Sequence, residues 1–239
     1  MKNLFYVVIG LVFVFGQYSC KKDKENTKFC KLTSWSSPSV SFNYTYDDNG
    51  FVKRGTIANG TYYEYTQTAN VLQRQGYTAA GVPSGSPAFY QLYNSGLIAA
   101  IPNSSDTTFL FYNNDQQLSE VQRRNDTIIS RTVISYVDGD ATNAVEYRSD
   151  SSVRSISTYA YYNDKENHTN LSLLFDILDS RYGKPCKHHI KSITQSSSGS
   201  FSTNNFFYTF DSDGNPVKLQ LLGQPSNSVN NLDFSYSCN

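Results

Sequence analysis

Three side chains suited to soft metals crowd into four positions: Cys186, His188 and His189. A thiolate and two imidazoles are ligands that zinc favours. Neighbouring residues of an extended strand point to opposite faces, so His188 and His189 could share one ion only across a bulge. Lys184, Lys187 and Lys191 flank the cluster. A basic, solvated strand or turn accounts for it, and no metal or cofactor is expected. Paired carboxylates are the second chemistry, because glycoside hydrolysis takes two across a cleft at roughly 5–10 Å. Glu64, Glu120 and Glu146 lie in strand-like runs, with Glu120 and Glu146 the pair to inspect first. Asp47, Asp48, Asp138, Asp140, Asp211 and Asp213 fall in turns, where side-chain hydrogen bonding to the backbone explains them. No spacing selects an acid–base couple. Nor does the chain hold a nucleophile elbow, a phosphate-binding glycine loop, an HExxH helix or a calcium loop. The sequence assembles no catalytic set.

The elements that would position these groups are strands. Ser, Asn and Thr supply 72 of 239 residues, Tyr and Phe another 34, and charged residues only 17%. Hydroxyls, amides and aromatics suit half-buried pleated strands and their turns better than helices. Phe42, Tyr44 and Tyr46 are spaced by two and share a face. Asn49-Gly50, Asn59-Gly60, Asp138-Gly139 and Asp213-Gly214 supply the positive φ of tight hairpins. Counting runs between turns gives about fifteen short strands joined as an antiparallel meander. Such a sheet is too wide to stay open and flat, which predicts an all-β fold that curls or partly closes. Leu171, Leu174, Phe175 and Leu178 break the rhythm with a helical stripe, predicting one short helix over 171–182. The region 76–88, GYTAAGVPSGSPA, reads as a loop.

The N-terminus carries its own signal. Lys2 precedes twelve apolar residues, Leu4 to Phe15, too few to span a bilayer but enough for the h-region of an export signal. Ser19-Cys20 then gives way to the polar run KKDKEN. A small residue directly before this cysteine resembles a bacterial lipobox, with Gln17 standing where an aliphatic residue is usual. The resemblance implies cleavage before Cys20, a diacylglycerol thioether on it, and a palmitate-type acyl group on its new amine. It divides the chain into a signal peptide (1–19), a lipidated cysteine and tether (20–38), and a single β-rich repeat domain (39–239). Removing Cys20 leaves Cys30, Cys186 and Cys238, of which two can pair in three ways in an oxidising compartment. Cys30 and Cys238 sit near the two ends of the mature chain, and domain termini often lie together, which makes them the favoured bridge.

One pattern recurs along the domain, as FNYTYDDNGFVKR at 42–54 and FFYTFDSDGNPVKLQL at 206–221. It resembles the Tyr-x-Tyr-Asp-x-x-Gly core of YD-type repeats. With RYGKPCKH at 181–188 and the ending FSYSC at 234–238, the chain is similar to Bacteroidetes-type lipoproteins built from such hairpins, a domain family of unknown function. The family implies a cell-envelope location, at the outer membrane through the lipid anchor, and no activity to carry over. Twenty basic residues against twenty acidic ones argue against a nucleic-acid partner. The leading expectation is a non-catalytic binding or structural module. A carrier cupping a lipid or other apolar ligand, and a glycan hydrolase, are the alternatives. Tyr-rich strands invite sugar stacking, although Trp occurs only at Trp35 and tyrosines also fill cross-strand pairs.

Overall fold

The computed structural model describes residues 29–171 and 180–238. Cys20, the export signal before it and most of the tether lie outside the described residues. The strands are β1 (Cys30–Ser36), β2 (Ser41–Tyr46), β3 (Val52–Ile57), β4 (Tyr62–Thr68), β5 (Val71–Tyr77) and β6 (Pro83–Leu92). Next come β7 (Ile98–Pro102), β8 (Thr107–Tyr112), β9 (Leu118–Arg124), β10 (Ile128–Val137), β11 (Asp140–Arg148) and β12 (Val153–Glu166). The last are β13 (His188–Ser197), β14 (Ser200–Phe210), β15 (Pro216–Gln224) and β16 (Ser228–Cys238). All sixteen pair antiparallel with their sequence neighbours, and β1 pairs with β16, so the meander closes fully into a barrel. The expectation of a partly closed sheet is corrected to complete closure.

The first stave starts at Cys30, inside the segment assigned to the tether. Trp35 pairs with Phe42 of β2 on one side and with Phe234 of β16 on the other. Residues 76–88, expected as a loop, instead end β5, turn at 78–82 and begin β6. Gly and Ser there serve a bulged strand pair rather than a free loop. Of the helix expected over 171–182, residues 172–179 lie outside the described residues. Ser180–Tyr182 is a single 3-10 turn, and no α-helix occurs among the described residues.

The recurring Tyr/Asp motif has a physical account. Asp47 Oδ1 accepts the amides of Asn49 and Phe51 at 3.0 and 2.9 Å. Asp211 repeats this with Asp213 and Asn215, and Asn113 with Asp115 and Gln117. The ladder slips by one residue just before the Asp47 and Asn113 turns, at Thr45/Tyr46 and Phe111/Tyr112, and before the Asp138-Gly139 turn, at Ser135/Tyr136. The tyrosine hydroxyl at each slip donates to a carbonyl of the preceding strand: Tyr46 to Leu32, Tyr112 to Ile98 and Tyr136 to Leu118. Repeated bulges bend each strand pair, and their sum curls the sheet.

The lumen is filled. Leu72, Ile98, Leu110, Leu118 and Ile134 form one apolar cluster, and Leu32, Ile190, Phe206, Leu219 and Phe234 another. Tyr159 and Tyr161 pack against both.

Candidate functional site

The two ends of the barrel differ. One gathers Cys30, Cys238, the Asp47, Asn113 and Asp211 turns, and the connection from β12 to β13. The described residues of that connection plug it. Arg181 is 2% exposed, donates to the Val52 carbonyl at 2.9 Å, lies 3.7 Å from Asp47, and sits over the rings of Phe51 and Tyr65. Gly183 (φ +102°) follows; a Cβ there would fall 2.6 Å from the Gln116 carbonyl, so the plug requires glycine. The amides of Lys184 and Lys187 donate to the carbonyls of Gln116 and Gly139 at 2.9 and 3.1 Å. The RYGKPCKH stretch is therefore the stopper of this end.

The Cys-x-His-His cluster sits in the same connection and is dispersed. Cys186 is buried, and the Tyr161 hydroxyl lies 3.3 Å from its sulfur. Burial pushes the Cys186 thiol up. His188 Nδ1 lies 2.5 Å from Asp140 Oδ2, while Asp140 Oδ1 accepts the His188 amide. His189 instead points among Tyr208 and Phe210, and its imidazole pKa is lowered to about 4, first by burial and then by His168 and His188. Among the described residues no three His, Cys, Asp or Glu side chains gather as a metal site.

The carboxylates do not converge either. Glu64 pairs with Arg54 at 3.4 Å, Glu120 with Arg131 at 2.7 Å, and Glu146 with Arg154 at 3.1 Å. Glu120 lies opposite Val133 and Glu146 opposite Thr132, adjacent residues of β10. The two glutamates thus occupy opposite faces of the sheet. Arg131 holds the Glu120 carboxyl below its usual range.

Cys30 and Cys238 face each other across β1 and β16 with Cα atoms 4.1 Å apart and are disulfide-bonded.

A concave feature lies at the other end, the mouth. Between the ends of β3 to β6 opens a cavity of about 490 Å³, lined by Tyr62, Tyr63, Arg74, Tyr77, Thr78 and Ser84 among others. Gly55 makes room for the Tyr63 ring, which a Cβ there would meet at 2.3 Å. The β5–β6 ladder jumps from Arg74–Ala88 to Gly76–Ser84, leaving extra residues of β6 bulged outward. Gln75 bridges the bulge, its amide donating to the carbonyls of Gly76, Ser84 and Gly85. Tyr62 and Tyr77 stack at the rim with centroids 4.9 Å apart. Sequence reasoning missed this site because 76–88 read as a loop, although the concentration of Tyr at 62, 63, 65 and 77 was visible.

No protein-family model matches the chain, and no curated protein sequence matches it. Among solved structures, a porin-like protein from Bacteroides uniformis superimposes with a TM-score of 0.64 at 14% identity, covering 86% of this chain and 96% of that one. A porin-like protein from Bacteroides vulgatus gives a TM-score of 0.57 at 14% identity, covering 87% and 99%. At that identity the likeness is one of fold, and the chain shares its barrel architecture with these two proteins.

Proposed function

We propose that this chain is a lipid-anchored protein of the outer membrane that acts as a non-catalytic binding module, with its barrel mouth turned away from the bilayer. The observation that carries the reading is the barrel's polarity. Chain entry, disulfide and plug occupy one end, and the cavity opens at the other. Nine residues separate Cys20 from Cys30, a reach of about 30 Å when extended. An acylated Cys20 would hold the plugged end near the membrane and present the mouth outward.

The porin-like names of the two similar structures support an envelope location. Other features favour anchoring over spanning. Strands β1 to β5 and β7 to β9 are five to seven residues long, where a membrane-crossing strand takes about 9–11. Gln91, Arg131, Lys191, Lys218 and Gln220 are exposed on the barrel wall, where a spanning barrel carries an apolar band. Apolar clusters pack the lumen among the described residues, which favours the polar, Tyr-lined mouth over an apolar lipid cavity as the binding face.

Intact-mass analysis of protein from its native membrane is expected to show acylation on Cys20. A mature chain beginning elsewhere refutes the anchor. Orientation is read by single cysteines probed with an impermeant maleimide on tethered vesicles. Ser198→Cys at a mouth turn should label and Asp48→Cys at a plug-end turn should be shielded; the reverse refutes the outward mouth.

A further inference from the structure

The mouth cavity has a charge that the rest of the barrel has not neutralised. Five arginines face carboxylates: Arg54, Arg123, Arg131, Arg154 and Arg181, with Glu64, Asp106, Glu120, Glu146 and Asp47. Arg74, like Arg124 on its Phe109 ring and Arg148 on Ser152, has no carboxylate partner among the described residues. Arg74 is exposed, lies 5.9 Å from the centroid of the Tyr63 ring, lines the cavity, and is hydrogen-bonded to Tyr65 with Tyr90 and Tyr182 nearby. No Asp or Glu lines the cavity; the remaining polar lining is the hydroxyls of Thr61, Thr78, Ser84 and Ser86 with the three tyrosines. This is a built site, since the β6 bulge is tied by Gln75 and the close approach of β5 to β6 depends on Gly76, whose Cβ would sit 3.1 Å from the Ser84 carbonyl.

We propose that the cavity binds a saccharide bearing a carboxylate, a uronic-acid unit, with Arg74 as the residue that recognises the acid. The inference rests on the reading of the mouth as the binding face. A guanidinium fork matches a carboxylate through two parallel hydrogen bonds, which a neutral sugar cannot offer. The Tyr62 ring is taken by Tyr77 and by the Arg54 guanidinium 3.5 Å from its centroid, so Tyr63 and Tyr77 supply the apolar faces for the C–H side of a pyranose, and serine and threonine hydroxyls exchange hydrogen bonds with its hydroxyls. A volume of about 490 Å³ lies within the range of small-ligand clefts.

The test is calorimetric titration of the full mature protein in detergent with digalacturonate, the neutral galactose disaccharide, and acetate. Digalacturonate is expected to bind best. Arg74→Gln should weaken it about 10- to 100-fold, the loss of one charge-assisted contact. Arg74→Lys, which keeps the charge but not the fork, should fall between. Arg124→Gln, whose guanidinium stacks on Phe109 outside the cavity, should leave affinity unchanged. Equal urea midpoints for Arg74→Gln and the parent keep a folding defect from imitating the result. Equal binding of acidic and neutral disaccharides overturns the acid while leaving the mouth as the binding face. Saturable acetate binding as tight as digalacturonate overturns the saccharide. No digalacturonate binding, or binding indifferent to Arg74→Gln, overturns the proposal outright. An inward-facing mouth in the maleimide experiment instead overturns the reading beneath it.

Discussion

Arg181→Ala should detach the plug before it unfolds the barrel. The guanidinium donates to the Val52 carbonyl at 2.9 Å, a charge-assisted bond contributing about 1.5–3 kcal/mol. It also sits 4.7 and 5.3 Å from the ring centroids of Phe51 and Tyr65, together about 1–2 kcal/mol in a desolvated setting. The 3.7 Å approach to Asp47 adds little, because that carboxylate is 33% exposed and can rehydrate. The sum is about 2.5–5 kcal/mol, a large share of a total stability of roughly 5–15 kcal/mol. The loss falls on one segment, so native-state hydrogen exchange is the assay. The Lys184 and Lys187 amides, which donate to Gln116 and Gly139, should lose protection while the β1–β16 ladder keeps its own. A change under about 1 kcal/mol, or equal loss of protection in plug and ladder, would refute the idea that Arg181 pins the plug.

Removing the disulfide with the double variant Cys30→Ser, Cys238→Ser frees a loop with a sequence separation of 208, and the urea midpoint should register a loss of about 5 kcal/mol on the chain-entropy model. Above the carboxylate range the pH response comes from His189, whose pKa falls from 6.5 to about 4 on folding. The unfolded chain then takes up the extra proton, so stability is unaffected well above pH 6.5 and declines as pH falls toward 4, by about 3 kcal/mol in all. Urea titrations of His189→Phe at neutral and acidic pH should lack that decline, and an unchanged slope would contradict the assignment. The Cys186 thiol, buried with a raised pKa, should resist a thiol reagent in the native protein and react fully after denaturation.

Much of the fold was legible because its determinants are local. Asp47 to Gly50 and Asp211 to Gly214 encode hairpin turns in consecutive residues, and the spacing of Phe42, Tyr44 and Tyr46 encodes a strand face. The features that escaped are nonlocal. Cys30–Ser36 reads as CKLTSWS, without an aromatic alternation, and becomes a strand because β2 and β16 flank it. The opposite facing of Glu120 and Glu146 follows from β9 and β11 registering one residue apart on β10. In the mouth, Tyr63 and Arg74 belong to two strands and Ser84 to a third, and only the bulge at Gly76 converts their Gly/Ser/Tyr text into a cavity.

The order of strands around the barrel has a consequence for biogenesis. Each strand except the first zips onto the one synthesised just before it, so most of the wall forms from short-range hairpins with little loop entropy to overcome. The closing seam differs, since β1 waits for β16 and therefore for the whole polypeptide. Until β16 arrives the free side of β1 is an open edge, a template for any other extended chain nearby. A truncated product or a stalled intermediate would keep that edge permanently, and would be expected to dimerise or be degraded rather than persist as a smaller barrel.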